Sequence, residues 1–178
     1  IKSPVELLVG IQRMLPMKLE NDEALMLLQR ILGQLLFYPP NVAGWPGGKS
    51  WIDSSSLMMR MRIPMLINDI DELNVSAKDD DDVMMGMKDI KKQPVRNSRS
   101  SKAAGRMINA DVNWNPLYKN YESVPREKLG EEVSKNLLQV KSGVSMDLIK
   151  QYSDQTGREN FIRTATLQIM STPEYQLC

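Results

Sequence analysis

Apolar residues recur at steps of three and four along much of the chain, the spacing of helices with one buried face. The first such stripe is Leu8, Ile11 and Leu15, with Leu7 and Met14 beside it. Ser3 is placed to cap it, Pro4 suits the first helical position, and Glu6 completes a capping-box pattern. Pro16 stops it, so a helix is predicted over residues 4–15. The second stripe is wider: Ala24, Leu27, Leu28, Ile31, Leu32 and Leu35. Asn21 is its expected cap, Asp22 and Glu23 suit the positive end of the helix dipole, and Gly33 reads as a close-packing point.

A third helix is predicted to start at Asp53 and run through Leu57, Met58 and Met61, with Pro64 kinking or ending it. Further on, Leu129, Val133, Leu137 and Val140 share one face of a helix over 125–140, where Glu131 and Lys135 are spaced to pair. Ser145 caps a short helix carrying Met146, Ile149 and Tyr152. Phe161, Ile162, Ala165 and Ile169 belong to a helix over 158–171, and Pro173 opens a last turn with Glu174 and Tyr175.

Residues 69–113 break the rhythm. Residues 79–82 are four consecutive aspartates, and a basic stretch from Lys88 to Arg106 follows. So long an unstructured loop is uncommon inside a compact domain. Strands are therefore expected at 73–77 and 107–114, where Ile108, Ala110, Val112 and Trp114 alternate. The predicted fold is mainly α: a helical bundle-like single domain over residues 1–178, packed around the second helix. A small antiparallel β element is expected from the middle region, with 69–113 an insertion or hairpin within the domain.

Composition narrows the chemistry. The 178 residues suffice for one ordinary domain. A formal net charge of +1 gives no field to attract nucleic acid, and no apolar run approaches the roughly 20 residues of a membrane span. The chain has no histidine and one cysteine, Cys178, which removes the commonest general base and any cysteine-rich zinc site. The 13 methionines suit irregular core filling. No catalytic residue, metal site or cofactor is expected. The chain starts at Ile1, at a helix start and without an initiator methionine, which reads as the C-terminal fragment of a larger protein.

The densest signal is Phe37-Tyr38-Pro39-Pro40-Asn41-Val42-Ala43-Gly44-Trp45-Pro46-Gly47-Gly48-Lys49-Ser50-Trp51. Its prolines and glycines forbid regular structure. Together with Gly33-Gln34-Leu35-Leu36-Phe37 before it and Trp51-Ile52-Asp53 after it, the string resembles the hallmark of the domain of unknown function 1800 family. Ser171-Thr172-Pro173-Glu174-Tyr175-Gln176 is similar to that family's ending. The resemblance implies a larger, mainly α-helical bacterial parent. Members often carry export signals, so a periplasmic or cell-surface location is implied, but no activity and no catalytic residue.

The loop is the candidate binding site: Tyr38, Gly44, Trp45, Pro46, Gly47, Gly48, Lys49, Trp51 and Asp53. Trp45 and Trp51 can offer flat faces to a glycan or peptide, and Lys49 and Asp53 can add polar contacts. The competing reading has both tryptophans plugging the core. Two functions follow. One is a non-catalytic helical binding or structural module of an exported protein. The other is the C-terminal wall of an enzyme site whose catalytic residues lie upstream. An open aromatic platform favours the first, and a cleft lined by Asp53 or Lys49 favours the second. The acidic run reads as a solvated turn rather than a calcium site, paired with the basic stretch. Ser54 to Ser56 lack a histidine to activate them. Asn74-Val75-Ser76 is a weak glycosylation match.

Overall fold

A computed structural model describes residues 1–21, 23–68 and 108–177. The expected strand at 73–77, the acidic run, the basic stretch and the glycosylation match all lie outside the described residues.

Helix α1 covers Pro4–Met14 and starts as its sequence requires. The Glu6 amide donates to Ser3 Oγ at 3.3 Å, and the Ser3 amide donates to Glu6 Oε2 at 2.6 Å. These bonds stabilise the ionised carboxylate and hold Glu6 below its ordinary pKa. Leu7, Leu8 and Ile11 are buried, as is Leu15, the residue at which the helix ends.

Strand β1, Met17–Leu19, follows directly and pairs antiparallel with β2, Ala110–Val112, with Lys18 opposite Asp111. The second strand lies inside the predicted 107–114 stretch. Its partner was not anticipated, because three residues are too few to show a period. In β2 the alternation holds: Ile108 is buried, Ala110, Val112 and Trp114 are partly buried, and Asp111 and Asn113 face out.

Helix α2 is Ala24–Ile31, shorter than its apolar stripe suggested. The N-cap position falls on Glu23, with no side-chain cap bond, and the expected cap Asn21 instead closes a turn just before the helix, its Oδ1 accepting from the Glu23 amide at 2.9 Å. Gly33 corrects one expectation. It is not a close-packing point, since a Cβ there would meet nothing within 4 Å. It ends the helix at φ +84°. Its amide donates to Arg30 O, and the Gln34 amide reaches back to Gln29 O, the paired bonds of a Schellman ending. Leu35 therefore sits in the loop rather than on the helix.

Helix α3, Ser54–Ile67, has the predicted start: Asp53 Oδ1 accepts from the Ser56 amide at 2.7 Å. It runs on through Pro64 instead of ending there. It buries Met59, Arg60, Ile63, Leu66 and Ile67, while Met58 is exposed.

After β2 comes α4, Asn115–Asn120, a short helix the sequence reading missed. Asn113 Oδ1 accepts from the Asn115 amide at 3.1 Å, and Leu117 and Tyr121 are buried. A 3₁₀ turn at Arg126–Lys128 leads into α5, Leu129–Leu137. This helix stops before Val140, which is exposed rather than on the buried face. Lys135 pairs with Glu132 at 2.6 Å, one position from the expected Glu131. Helix α6, Met146–Tyr152, is capped by Ser145 and buries Ile149, but leaves Tyr152 outside. Helix α7, Arg158–Met170, buries Phe161, Ile162, Ala165 and Ile169 as predicted. The Pro173–Gln176 turn closes the described chain.

The architecture is mainly α with a small two-stranded antiparallel sheet. Its hub is α7, which packs on α3, α5 and α6. The second helix was expected there, but it lies at the side against α1. The reason is that α7 is buried nearly all round, including Thr166 and Leu167, whereas α2 fully buries only Ala24 and Leu28.

Candidate functional site

The Pro/Gly/aromatic loop joins α2 to α3, and both its ends are anchored. On the α2 side the Leu36 amide donates to Gln29 Oε1 at 2.8 Å, and Gln34 Oε1 accepts from the Val5 amide at 3.1 Å. On the α3 side the Ser56 hydroxyl donates to Trp51 O at 3.2 Å and accepts from the Asp53 amide at 2.9 Å. Between these anchors the backbone is held by local turns. The Gly44 amide donates to Asn41 O, Asn41 Oδ1 takes the Ala43 amide, and the Ser50 amide donates to Gly47 O. Gly44 at φ +87° and Gly48 at φ +61° occupy conformations that a side chain would strain.

The two tryptophans behave differently. Trp51 is 9% exposed, at the end of the Gly48–Trp51 turn, and lies outside the main apolar cluster. Trp45 is partly buried, and its indole Nε1 is enclosed without an acceptor. Trp51 is thus buried locally, apart from the main apolar cluster, and offers no open face. Tyr38, Pro46, Gly47, Gly48, Lys49 and Asp53 are exposed, and Gly44 is partly so. Asp53 is occupied as a helix cap, and Ser56 is buried in the same cap.

What the loop does present is an apolar tip. Phe37 is 89% exposed, Leu36 and Tyr38 are exposed on either side of it in sequence, and Val42 is exposed further along the loop. Phe37 also has φ +66°, the one such value for a non-glycine among the described residues. It is the third residue of a turn closed by the Tyr38 amide on Leu35 O, the position where a type II turn takes glycine or asparagine. Leu36, Phe37 and Val42 were not picked out from sequence. The signal available was their place in a proline-rich stretch, where apolar side chains have few neighbours to pack on.

A cavity of about 580 Å³ lies elsewhere, between α5 and α6, with Leu138, Val140, Val144 and Met146 among its lining. No loop residue lines it. Among the described residues no three acidic or cysteine side chains converge to hold a metal ion. None of the described helices is long and apolar enough to cross a membrane.

The family model for "Protein of unknown function (DUF1800)" matches residues 1–177. The chain belongs to the DUF1800 family. The match takes in the loop and the Ser171–Gln176 ending that carried the resemblance, and everything between them. No curated protein and no solved structure matches. Membership in DUF1800 therefore brings no assigned activity to these residues, and the site has to be read from its own geometry.

Proposed function

We propose that this DUF1800 chain is a non-catalytic helical binding module that engages an apolar peptide segment of a protein partner through the loop between α2 and α3. The observation that carries the proposal is Phe37, almost fully exposed on a backbone conformation that costs an L-residue free energy. Strain of this kind persists where the surrounding structure holds it, and it concentrates at ligand-contacting positions. The anchored ends and the prolines lower the entropy lost on ordering the tip at an interface. A peptide fits better than a glycan, because Trp51 is turned inward and the exposed surface is aliphatic and aromatic rather than a flat stacking face. Tyr38, exposed next to Phe37 in sequence, extends the contact.

The enzyme-wall reading required Asp53 or Lys49 to line a cleft. Asp53 instead caps α3, which counts against that reading. The family resemblance supports an exported setting, periplasmic or at the cell surface, for the whole protein. Fractionation of cells expressing the full-length gene tests that part.

Panels of immobilised peptides and glycans, probed with the chain, test the contact itself. Apolar peptides are expected to bind, with binding lost in Phe37→Ala. Glycan binding that survives Phe37→Ala would overturn the proposal.

A further inference from the structure

Arg60 stands apart from every other charged side chain described. It lies on α3 with 0% of its surface exposed. Its Nη1 donates to Lys2 O at 2.9 Å. Its Nε and Nη2 have no acceptor. Burial works against the charged form, yet a guanidinium keeps its proton at any ordinary pH. Among the described residues no carboxylate forms an ion pair with it. Among the described residues this positive charge is thus enclosed with one backbone carbonyl as its hydrogen-bond acceptor, an arrangement that is unfavourable when left uncompensated.

The two vacant donors are not a random pair. Nε–H and Nη2–H lie along one edge of the guanidinium plane and form the two-pronged fork that fits the oxygens of a carboxylate. The neighbouring clasp is also short of partners. Lys2 joins its parts: its carbonyl takes Arg60, its amide donates to Gln176 O at 2.8 Å, and its Nζ donates to Tyr175 O at 2.6 Å. Gln176 is 3% exposed, and neither side-chain amide atom has a partner. An ordered water can satisfy a neutral amide such as Gln176. It does not balance the charge of Arg60.

We infer that the Arg60 fork, beneath the clasp of residues 1–3 on the Pro173–Gln176 turn, is a binding site for a small carboxylate anion. The site is separate from the loop and does not depend on its role. Entry requires residues 1–3 to lift from Gln176, a local opening that breaks the Lys2 bonds to Gln176 O and Tyr175 O and its bond from Arg60. The bound anion then links α3 to the clasp and stabilises the fold.

Thermal unfolding of the chain in sodium formate or acetate, with sodium chloride holding ionic strength constant, tests the site. Above the dissociation constant, each tenfold rise in carboxylate is expected to raise the wild-type Tm by about 3–5 °C. Arg60→Lys keeps the charge but loses the fork, and Arg60→Met loses both, so each should flatten the response. Arg60→Met should still fold, because an apolar chain of similar length in place of an unpaired buried charge is neutral or stabilising. As a second readout, the resonance of ¹³C-labelled formate should broaden with wild-type protein and not with Arg60→Lys. A flat wild-type Tm, equal slopes in wild type and Arg60→Met, or formate lines indifferent to Arg60 would each overturn the inference.

Discussion

Substitution of Phe37 separates strain from packing, because the two contributions act in opposite directions. The residue holds φ +66°, which costs an L-residue about 1–2 kcal/mol. Its ring is 89% exposed, so only about a tenth of the roughly 1.5–3 kcal/mol of a fully buried phenylalanine is gained in return. Phe37→Asn keeps a side chain but tolerates the left-handed region, and is expected to stabilise the chain by about 0.5–1 kcal/mol. For a protein of this size that is a rise in Tm of about 1–4 °C. Phe37→Gly relieves the same strain but frees the unfolded chain, which offsets about 0.5–1 kcal/mol. Phe37→Ala keeps the Cβ and most of the strain, and should leave stability nearly unchanged. Urea and thermal unfolding read these differences, and the peptide panel reads binding on the same samples. The expected result is a chain that loses its ligand while holding or gaining stability. A fall of more than about 1 kcal/mol in Phe37→Asn would refute the reasoning, since it would mean that the ring packs and the conformation serves the fold.

Three further outcomes follow from the geometry. Ser3→Ala removes the acceptor for the Glu6 amide at the start of α1 and should cost about 1 kcal/mol by urea unfolding; an unchanged midpoint would show that the cap contributes nothing. Gly33→Ala should cost about 1 kcal/mol from backbone strain alone, because its Cβ meets no neighbour, and Gly33→Asn should recover part of it; equal stability of all three chains would deny the Schellman ending. Burial pushes the Tyr175 phenol up to about 12 from 10.0. The unfolded chain then releases this proton first, so the stability contributed by the neutral phenol is complete below pH 10 and is lost as pH rises from about 10 through about 12. The loss amounts to roughly 2–3 kcal/mol, and in Tyr175→Phe the fall in stability over that window should be shallower by the same amount.

The sequence alone determined the features that depend on neighbours along the chain. The capping box at Ser3 and Glu6, the Asp53 and Ser145 caps, the helical α7 stripe and the irregular loop were all legible, because each rests on bonds or periodicities within a few residues. The family resemblance was legible for the same reason. What tertiary structure decided were the pairings across the chain and the choice of buried face. Strand β1 exists because residues 110–112 reach it, and a three-residue segment has no period of its own to announce that. Which helix became the hub depended on how many neighbours covered it, so α7 took the place expected of α2. In the loop, composition marked the segment but not the orientation of its rings: Trp51 turned inward and Phe37 outward. Arg60 was not singled out from the sequence. Its burial, and its unused fork, follow from the clasp that brings residues 1–3 and 173–176 together over it.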